Sequence, residues 1–283
     1  SGNGMSYDVL VIGGGPAGLS AAVNVRARGG RVLVVSNPLE ENPLWRAEKV
    51  DNYLGMPGLS GAELLTAMRR HGERSGAEFL TGKVLNAVRM PDAWYVSVGP
   101  EMYNARAVVL AAGVARGKKF PGEAELLGRG VSYCATCDGM LYRGKAVAVV
   151  GFSDTARQEA EFLQKIGCAV TYFDRPRQCE IHGREQVESV TCEGRTAAVE
   201  GVFILRPTMA PTEIFPGLTV EQGYVAVDRR MATNLPGLFA AGDCTGGPLQ
   251  VSKAVGEGLI AGQSAAAWAA AQERGEKQGS ATK

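Results

Sequence analysis

The segment Val11-Ile12-Gly13-Gly14-Gly15-Pro16-Ala17-Gly18 decides the fold. It closes a short apolar run, Tyr7 to Ile12, and leads into Leu19 to Ala27, whose apolar residues recur at helical spacing; Arg31 to Val35 is a second apolar run. The order is strand, glycine turn, helix, strand. Within it lies G-x-G-x-x-G. Gly13 permits the tight turn, Gly15 lets a pyrophosphate approach the backbone, Gly18 lets helix and strand pack, and the helix N-terminus faces the phosphates. In this context the pattern predicts a dinucleotide-binding loop. The acidic residue that usually holds the ribose, about 20 residues on, is replaced by Ser36-Asn37, so a hydroxyl or an amide must serve there.

Ser36 to Pro57 is polar and irregular, and Gly61 to Arg70 reads as a helix behind Ser60. Short strands are expected at Glu78-Leu80, Lys83-Arg89, Trp94-Val98 and Ala107-Ala111, and Gly113 to Gly117 has the composition of a hinge. A second alternation follows. Val131 to Asp138 leads into a strand over Lys145-Val150, a helix over Asp154-Ile166 and a strand over Ala169-Phe173. Glu188-Cys192 and Thr196-Glu200 can pair across Glu193-Gly194-Arg195, and Gly201-Leu205 is a further strand. No helix is legible between Arg175 and Val187, so the second unit lacks a usual crossover element. Leu238-Ala241 is a final strand, and Ser252-Gln272 a long Ala-rich helix that could return to the first unit. The prediction is an α/β fold of two Rossmann-like three-layer domains. One is discontinuous, residues 5–115 with 233–283, and the other is inserted over 116–232.

At 283 residues the chain has room for two such domains. Its 30 Lys and Arg balance 29 Asp and Glu, a net charge of +1, which gives no footprint for nucleic acid or an anionic membrane surface. No window approaches the uncharged apolar length of a membrane helix. The 38 glycines are about twice the usual share, which suits tight turns and close backbone approach to a ligand. His71 and His182 are the only histidines, leaving little for His-based chemistry. With six cysteines and no secretory signal legible, a reducing cytoplasm is the expected compartment, where C-x-x-C is chemistry before it is a staple. Ser1-Gly2-Asn3-Gly4 before Met5 reads as an expression scar and is set aside.

Ala240-Ala241-Gly242-Asp243 follows a strand and precedes the long helix. Alone, Gly-Asp is a turn. Combined with the N-terminal fingerprint, a short carboxylate there can hold a ribityl hydroxyl while the helix N-terminus beyond Gln250 faces the flavin end, which favours FAD over NAD. Cys134-Ala135-Thr136-Cys137-Asp138-Gly139 is the chemical centre: two thiols so spaced can close into a disulfide or share a lowered thiolate pKa, as thiol-disulfide exchange requires. Asp138 can relay a proton to a departing thiolate. A zinc site would need a second pair, and Cys168, Cys179, Cys192 and Cys244 are widely scattered, so no metal is expected.

The glycine motif, Asp51-Asn52-Tyr53-Leu54-Gly55, the C-A-T-C-D segment and the final Ala-Gly-Asp stand in an order and spacing that resembles the low-molecular-weight thioredoxin reductases, over nearly the whole chain. That resemblance implies FAD held by the two flanking segments, an inserted domain carrying the redox cysteines, a homodimer, and thioredoxin as partner. It implies that Cys137 lies against the flavin, that Cys134 attacks the thioredoxin disulfide, and that Asp138 is the acid. The residues expected to contact FAD are Gly13, Gly15, Pro16, Ala17, Gly18, Ser36, Asn37, Asn52, Ala112, Gly113, Gly242, Asp243, Gln250 and Val251. Because one flavin cannot both touch a buried cysteine pair and leave it open to a protein, the insert is expected to move about hinges near Gly113-Gly117 and Ala232-Gly237.

The insert departs from the family where NADPH should bind. Its loop reads Gly151-Phe152-Ser153-Asp154-Thr155-Ala156, with Ser153 where pyrophosphate must touch backbone. In place of the family's H-R-R-x-x-x-R stands Tyr172-Phe173-Asp174-Arg175-Pro176-Arg177, whose Asp174 would repel a phosphate, although an NADH ribose could use it. With the missing crossover helix, the pattern resembles the pyridine-nucleotide-independent branch, the ferredoxin-dependent flavin thioredoxin reductases. From a ferredoxin near −400 mV to thioredoxin near −270 mV two electrons fall through roughly 130 mV, about 6 kcal/mol. Arg69-Arg70, Arg116-Lys118-Lys119 and Arg229-Arg230 are candidate docking charges for an acidic ferredoxin. The competing readings are an NAD(P)H-dependent thioredoxin reductase, an oxygen-dependent dithiol oxidase, and a non-catalytic flavin-binding sensor.

Overall fold

The computed structural model describes residues 6–113 and 118–281. The chain opens with β1 (Ser6–Ile12), α1 (Pro16–Ala27) and β2 (Val32–Ser36). After two short 3-10 turns come α2 (Gly61–Arg74), β3 (Glu78–Thr81) and the strands β4 (Val84–Arg89), β5 (Trp94–Val98) and β6 (Glu101–Leu110). A reciprocal cap starts α2: Ser60 Oγ accepts from the Glu63 amide, and Glu63 accepts from the Ser60 amide. The second unit holds β7 (Val131–Ser132), the single turn α3 (Ala135–Asp138), β8 (Ala146–Gly151), α4 (Asp154–Lys165) and β9 (Ala169–Asp174). It continues with β10 (Cys179–His182), β11 (Ser189–Cys192), β12 (Arg195–Ala198) and β13 (Gly201–Leu205). The chain then returns to the first unit through α5 (Pro211–Ile214), the small pair β14 (Val220–Glu221) and β15 (Tyr224–Val225), β16 (Leu238–Ala240) and α6 (Val251–Ala281).

In the first unit the seven-stranded sheet begins β3-β2-β1-β6, all parallel, and β6 is long enough to take two further partners along its length. Its last residues, Val108 to Leu110, pair in parallel with β16, whereas its first, Glu101 to Ala105, pair antiparallel with β5 in the meander β4-β5-β6. Alternation along the strands sorts the apolar residues to the two faces. Val9, Val11, Val32, Val34, Ala107 and Val109 face the helices α1 and α6, meeting Ala17, Ala21, Val25, Ala261 and Ala265. Leu10, Ile12, Leu33, Val35, Val108 and Leu110 face the other way, onto Trp94, Val96 and Val98 of the meander.

In the second unit the parallel sheet runs β7-β13-β8-β9. One face, through Val147, Val149 and Phe203, is covered by α4 with Ala156, Ala160 and Leu163. The other, through Ala148, Val150, Phe173, Val202 and Ile204, is covered by the three-stranded antiparallel sheet β10-β11-β12. The crossover from β9 to β13 is this sheet and contains no helix, as expected. The β11-β12 hairpin is the expected one, turning at Glu193-Gly194, where both residues have positive φ. Its third strand, β10, lies in the stretch between Arg175 and Val187 where no helix is legible and no strand was expected.

The return to the first unit differs from the expected boundary. The second unit ends at Pro207, and the first resumes at Thr208 instead of residue 233. The reason is apolar burial: Ile214, Phe215, Leu218 and Val225 sit in the first unit's core, with Phe215 edge-on to Trp94. The stretch Ala232-Gly237, expected as a hinge, is accordingly a turn inside the first unit, where Ala232 bridges Phe239 and Thr233 Oγ1 donates to Leu238 O. Of the other expected hinge, only Gly113 lies within the described residues.

Candidate functional site

Because β1, β6 and β16 are parallel, their C-terminal ends share one edge of the sheet, and the chain runs from β1 toward β2 on one side and from β6 on the other. Such a reversal in strand order opens a crevice at the carboxyl edge. The Gly13–Gly18 loop, Ser36, Ala112, Gly113 and Gly242 lie at the ends of these strands. Gly13 has φ +115°, and a Cβ on it would lie 2.1 Å from Ala111 O; a Cβ on Gly18 would lie 1.9 Å from Gly13 O. Both positions therefore require glycine. Gly15 caps α1 without a side-chain hydrogen bond, and Pro16 occupies the first turn, so the first amides of a twelve-residue helix face the loop. Ser36 ends β2 with its Oγ beside Gly14. Ala112 and Gly113 follow one residue beyond the end of β6.

The C-terminal half is held by a network that sequence reading missed. Glu257 Oε1 accepts from the Gly242 amide at 3.0 Å and from Thr245 Oγ1 at 2.6 Å. Lys253 Nζ donates to Gly242 O at 2.7 Å, to Thr245 Oγ1 at 3.1 Å and to Gly246 O. Together they fix the turn that carries Asp243, whose carboxylate is partly buried and makes no hydrogen bond among the described residues. Lys253 and Glu257 are one turn apart on α6, an i, i+4 spacing that marks only a surface pair when read from sequence. Asn52 Nδ2 donates to Gln250 Oε1 at 2.8 Å, so two of the expected contacts, far apart in the chain, meet. An uncapped helix N-terminus, a glycine loop with no room for side chains and an uncommitted carboxylate after β16 fit a flavin dinucleotide.

In the second unit Cys134 and Cys137 are joined by a disulfide across α3, with Cα atoms 5.3 Å apart. Cys134 is the N-cap of that turn, and its Sγ accepts from the Cys137 amide at 3.1 Å. Cys134 is buried and Cys137 exposed. Asp138 Oδ2 accepts from Ser132 Oγ at 2.7 Å, and Ser132 Oγ accepts from the Cys134 amide at 3.1 Å. Ser132, on β7, is buried and was not anticipated; its position two residues before Cys134 was the available signal.

The loop between β8 and α4 is filled from within. A Cβ on Gly151 would lie 2.2 Å from Tyr172 Oη, so the tyrosine hydroxyl occupies the space against the glycine. Among the described residues that buried hydroxyl has no hydrogen-bond partner, its phenol is pushed up by burial, and the Arg157 guanidinium lies 4.4 Å over the ring. Ser153 is buried, with its Oγ 2.8 Å from Thr155 Oγ1. Arg175 is committed to Asp174 at 2.9 Å and Asp154 at 3.2 Å, the latter in the first turn of α4.

The remaining cysteines correct one expectation. Cys179 and Cys192 are not scattered: they face each other across β10 and β11, buried and disulfide-bonded, with Cα atoms 4.2 Å apart. Cross-strand pairing, invisible in a spacing of this length, brings them together. Cys168 and Cys244 are free and buried; burial raises both thiols, that of Cys244 to about 12. Among the described residues no cluster of metal-ligating side chains occurs. A buried carboxylate, also missed, is Glu123, which is paired with both Arg206 nitrogens at 2.8 Å and accepts from Tyr133 Oη and the Phe120 amide. Burial pushes it up, but those donors together hold it below the usual carboxylate range. Of the basic pairs, Arg69 is committed to Glu73 and stacked on Phe79, while Arg70, Lys118, Lys119, Arg229 and Arg230 are exposed.

The family model of the pyridine nucleotide-disulphide oxidoreductases matches residues 7–188 and 176–258. Thioredoxin reductase of Bacillus subtilis (strain 168) is 36% identical over 91% of this chain and 93% of its own. The chain belongs to the thioredoxin reductase family. Its cofactor is FAD. Among solved structures of this family, a ferredoxin-flavin thioredoxin reductase from Clostridium acetobutylicum superimposes with a TM-score of 0.89 at 35% identity, covering 95% of this chain and 99% of that one. A thioredoxin reductase from Gloeobacter violaceus gives 0.83 at 30% identity, over 95% and 96%. As a thioredoxin reductase family member the chain is an oxidoreductase acting on disulfides. Among the described residues no helix is long and apolar enough to cross a membrane.

Proposed function

We propose that this enzyme takes electrons from reduced ferredoxin, reduces its own Cys134–Cys137 disulfide, and passes the equivalents to thioredoxin. The observation that carries the choice of donor is the filled loop of the second unit. A pyrophosphate there would meet the Ser153 side chain at the position where it must approach bare backbone, beside an Arg175 already held by two carboxylates. Asp174, the group an NADH ribose would need, is committed to the same arginine. The high similarity to the Clostridium acetobutylicum structure supports the same donor.

Gly13 to Gly18, Asn52, Gly242, Asp243 and Gln250 would hold FAD, which would supply the exchange between single-electron carriers and a two-electron disulfide. Two electrons and two protons convert Cys134–Cys137 into two thiols. Cys134, as thiolate, attacks the thioredoxin disulfide and displaces one thioredoxin sulfur, which takes its proton from Asp138. Cys137 then attacks Cys134 in the mixed disulfide, re-forming the internal bond and releasing the second thioredoxin sulfur. The family resemblance supports a cytoplasmic homodimer as the working form.

The test is anaerobic titration of the flavin absorbance with NADPH, NADH and reduced ferredoxin in turn. Bleaching by reduced ferredoxin, complete at about four equivalents because the flavin and the Cys134–Cys137 disulfide each take two electrons, and not by stoichiometric NADPH or NADH, is expected. Bleaching by stoichiometric pyridine nucleotide would overturn the ferredoxin reading, and oxygen reduced to peroxide as a small dithiol is oxidised to its disulfide, in a separate assay in air, would favour a dithiol oxidase.

A further inference from the structure

Ser132 is one of few buried polar side chains in the described chain, and every hydrogen-bonding partner of its hydroxyl belongs to the redox motif. The oxygen accepts from the Cys134 amide at 3.1 Å. Its proton has two acceptors in reach, Asp138 Oδ2 at 2.7 Å and Cys134 O at 3.3 Å. A serine hydroxyl carries one donor and two acceptor positions, and its proton rotates. When Asp138 is ionised, the proton of Ser132 points to Oδ2. When Asp138 is protonated, the carboxyl donates to Ser132 Oγ, and the serine proton turns to the carbonyl of Cys134. Neither state strands a buried polar group. We propose that Ser132 is the positioning residue for Asp138, a rotor that holds the carboxyl in one place through both of its protonation states while anchoring the backbone of Cys134.

The inference rests on the reading of Asp138 as the acid for the departing thioredoxin sulfur. An acid that gives up a proton in each turnover and regains it must be held in both forms, or it drifts from the reacting sulfur in one of them. An arrangement tuned to a single form, such as a lysine salt bridge, would not do this. Ser132 touches neither thioredoxin sulfur nor flavin in this scheme and acts only through Asp138 and Cys134.

The test uses FAD-loaded enzyme reduced chemically with dithionite, so that the donor question does not enter, then mixed with thioredoxin disulfide in single turnover, with thiols counted after acid quench and alkylation. Ser132→Val keeps the side-chain volume close to that of threonine and removes both hydrogen bonds; Ser132→Thr adds the same methyl and retains them. Expected results are a roughly tenfold slower transfer for Ser132→Val at unchanged half-saturating thioredoxin, near-wild-type transfer for Ser132→Thr, and no further slowing when Ser132→Val is added to Asp138→Asn. Equal rates for the Val and Thr variants, or a full additional loss on the Asp138→Asn background, would overturn the role of Ser132 while leaving Asp138 as the acid. If Asp138→Asn alone transfers at the wild-type rate, the reading of Asp138 fails and the inference with it.

Discussion

Opening the Cys179–Cys192 disulfide is expected to loosen the second unit by about 3 kcal/mol and leave the first untouched. The bond spans a sequence separation of 13. In the chain-entropy account a loop of that length restricts the unfolded chain by about 10 cal/mol/K, about 3 kcal/mol at 25 °C. The bond also lies within the apolar layer that stands where a crossover helix would be, against Val190, Ile181 and Ala148. Two free thiols, each buried in a different unit, make the assay specific. Cys168 reports the second unit and Cys244 the first. Their alkylation is followed by peptide mass spectrometry in increasing urea, comparing the wild type with Cys179→Ala/Cys192→Ala. Protection of Cys168 should fall by roughly 150-fold, the equivalent of about 3 kcal/mol, with that of Cys244 unchanged. The tryptophans, Trp45, Trp94 and Trp268, all lie in the first unit and so cannot substitute as reporters. Unchanged Cys168 protection would refute the reasoning, because it would mean that the sheet β10-β11-β12 holds its place without the bond.

Glu123→Gln should destabilise the second unit by about 3–5 kcal/mol, since it leaves Arg206 facing an uncharged partner in a buried site; the Cys168 reporter measures it. The wild-type carboxyl is held below its ordinary range, so its contribution is fully present above the unfolded value and is lost as pH falls through the folded one. Cys168 protection should therefore decline from about pH 4.5 downward in the wild type and much less in Glu123→Gln. Gly258→Ala would place a Cβ 2.3 Å from Ala17 O, forcing α6 away from α1 beneath the glycine loop. A loss of about 1–3 kcal/mol and weaker FAD retention on gel filtration are expected; full FAD content at unchanged stability would contradict the close contact.

The first unit was legible because its signals are local. The Gly13-to-Gly18 loop, the alternating Val9, Val11, Val32 and Val34, and the capped helix after Ser60 are each decided within a few residues. The missing crossover helix was legible for the same reason, because no helical pattern occurs between Arg175 and Val187. What replaced it was not, because β10 is only four residues long and gains its identity from pairing with β11, a contact that also joins Cys179 to Cys192. The boundary at Thr208 was hidden in irregular chain whose allegiance is set by where Ile214 and Phe215 find a core. Ser132, Glu123, Lys253 and Glu257 were missed alike: each is an ordinary polar residue until the fold supplies its partners. The nucleotide loop of the second unit lies between these cases. Ser153 was readable as an obstruction, whereas the hydroxyl of Tyr172 reaches Gly151 only through the pairing of β8 with β9.

The most direct measurement of the electron path is the yield of thioredoxin thiols against ferredoxin oxidised, under anaerobic turnover with no pyridine nucleotide present. One thioredoxin disulfide reduced for every two ferredoxins, no yield when NADPH replaces ferredoxin, and no yield from Cys137→Ser with either donor are the expected results. Thioredoxin thiols formed at the same rate from NADPH alone, or by Cys137→Ser, would contradict that path.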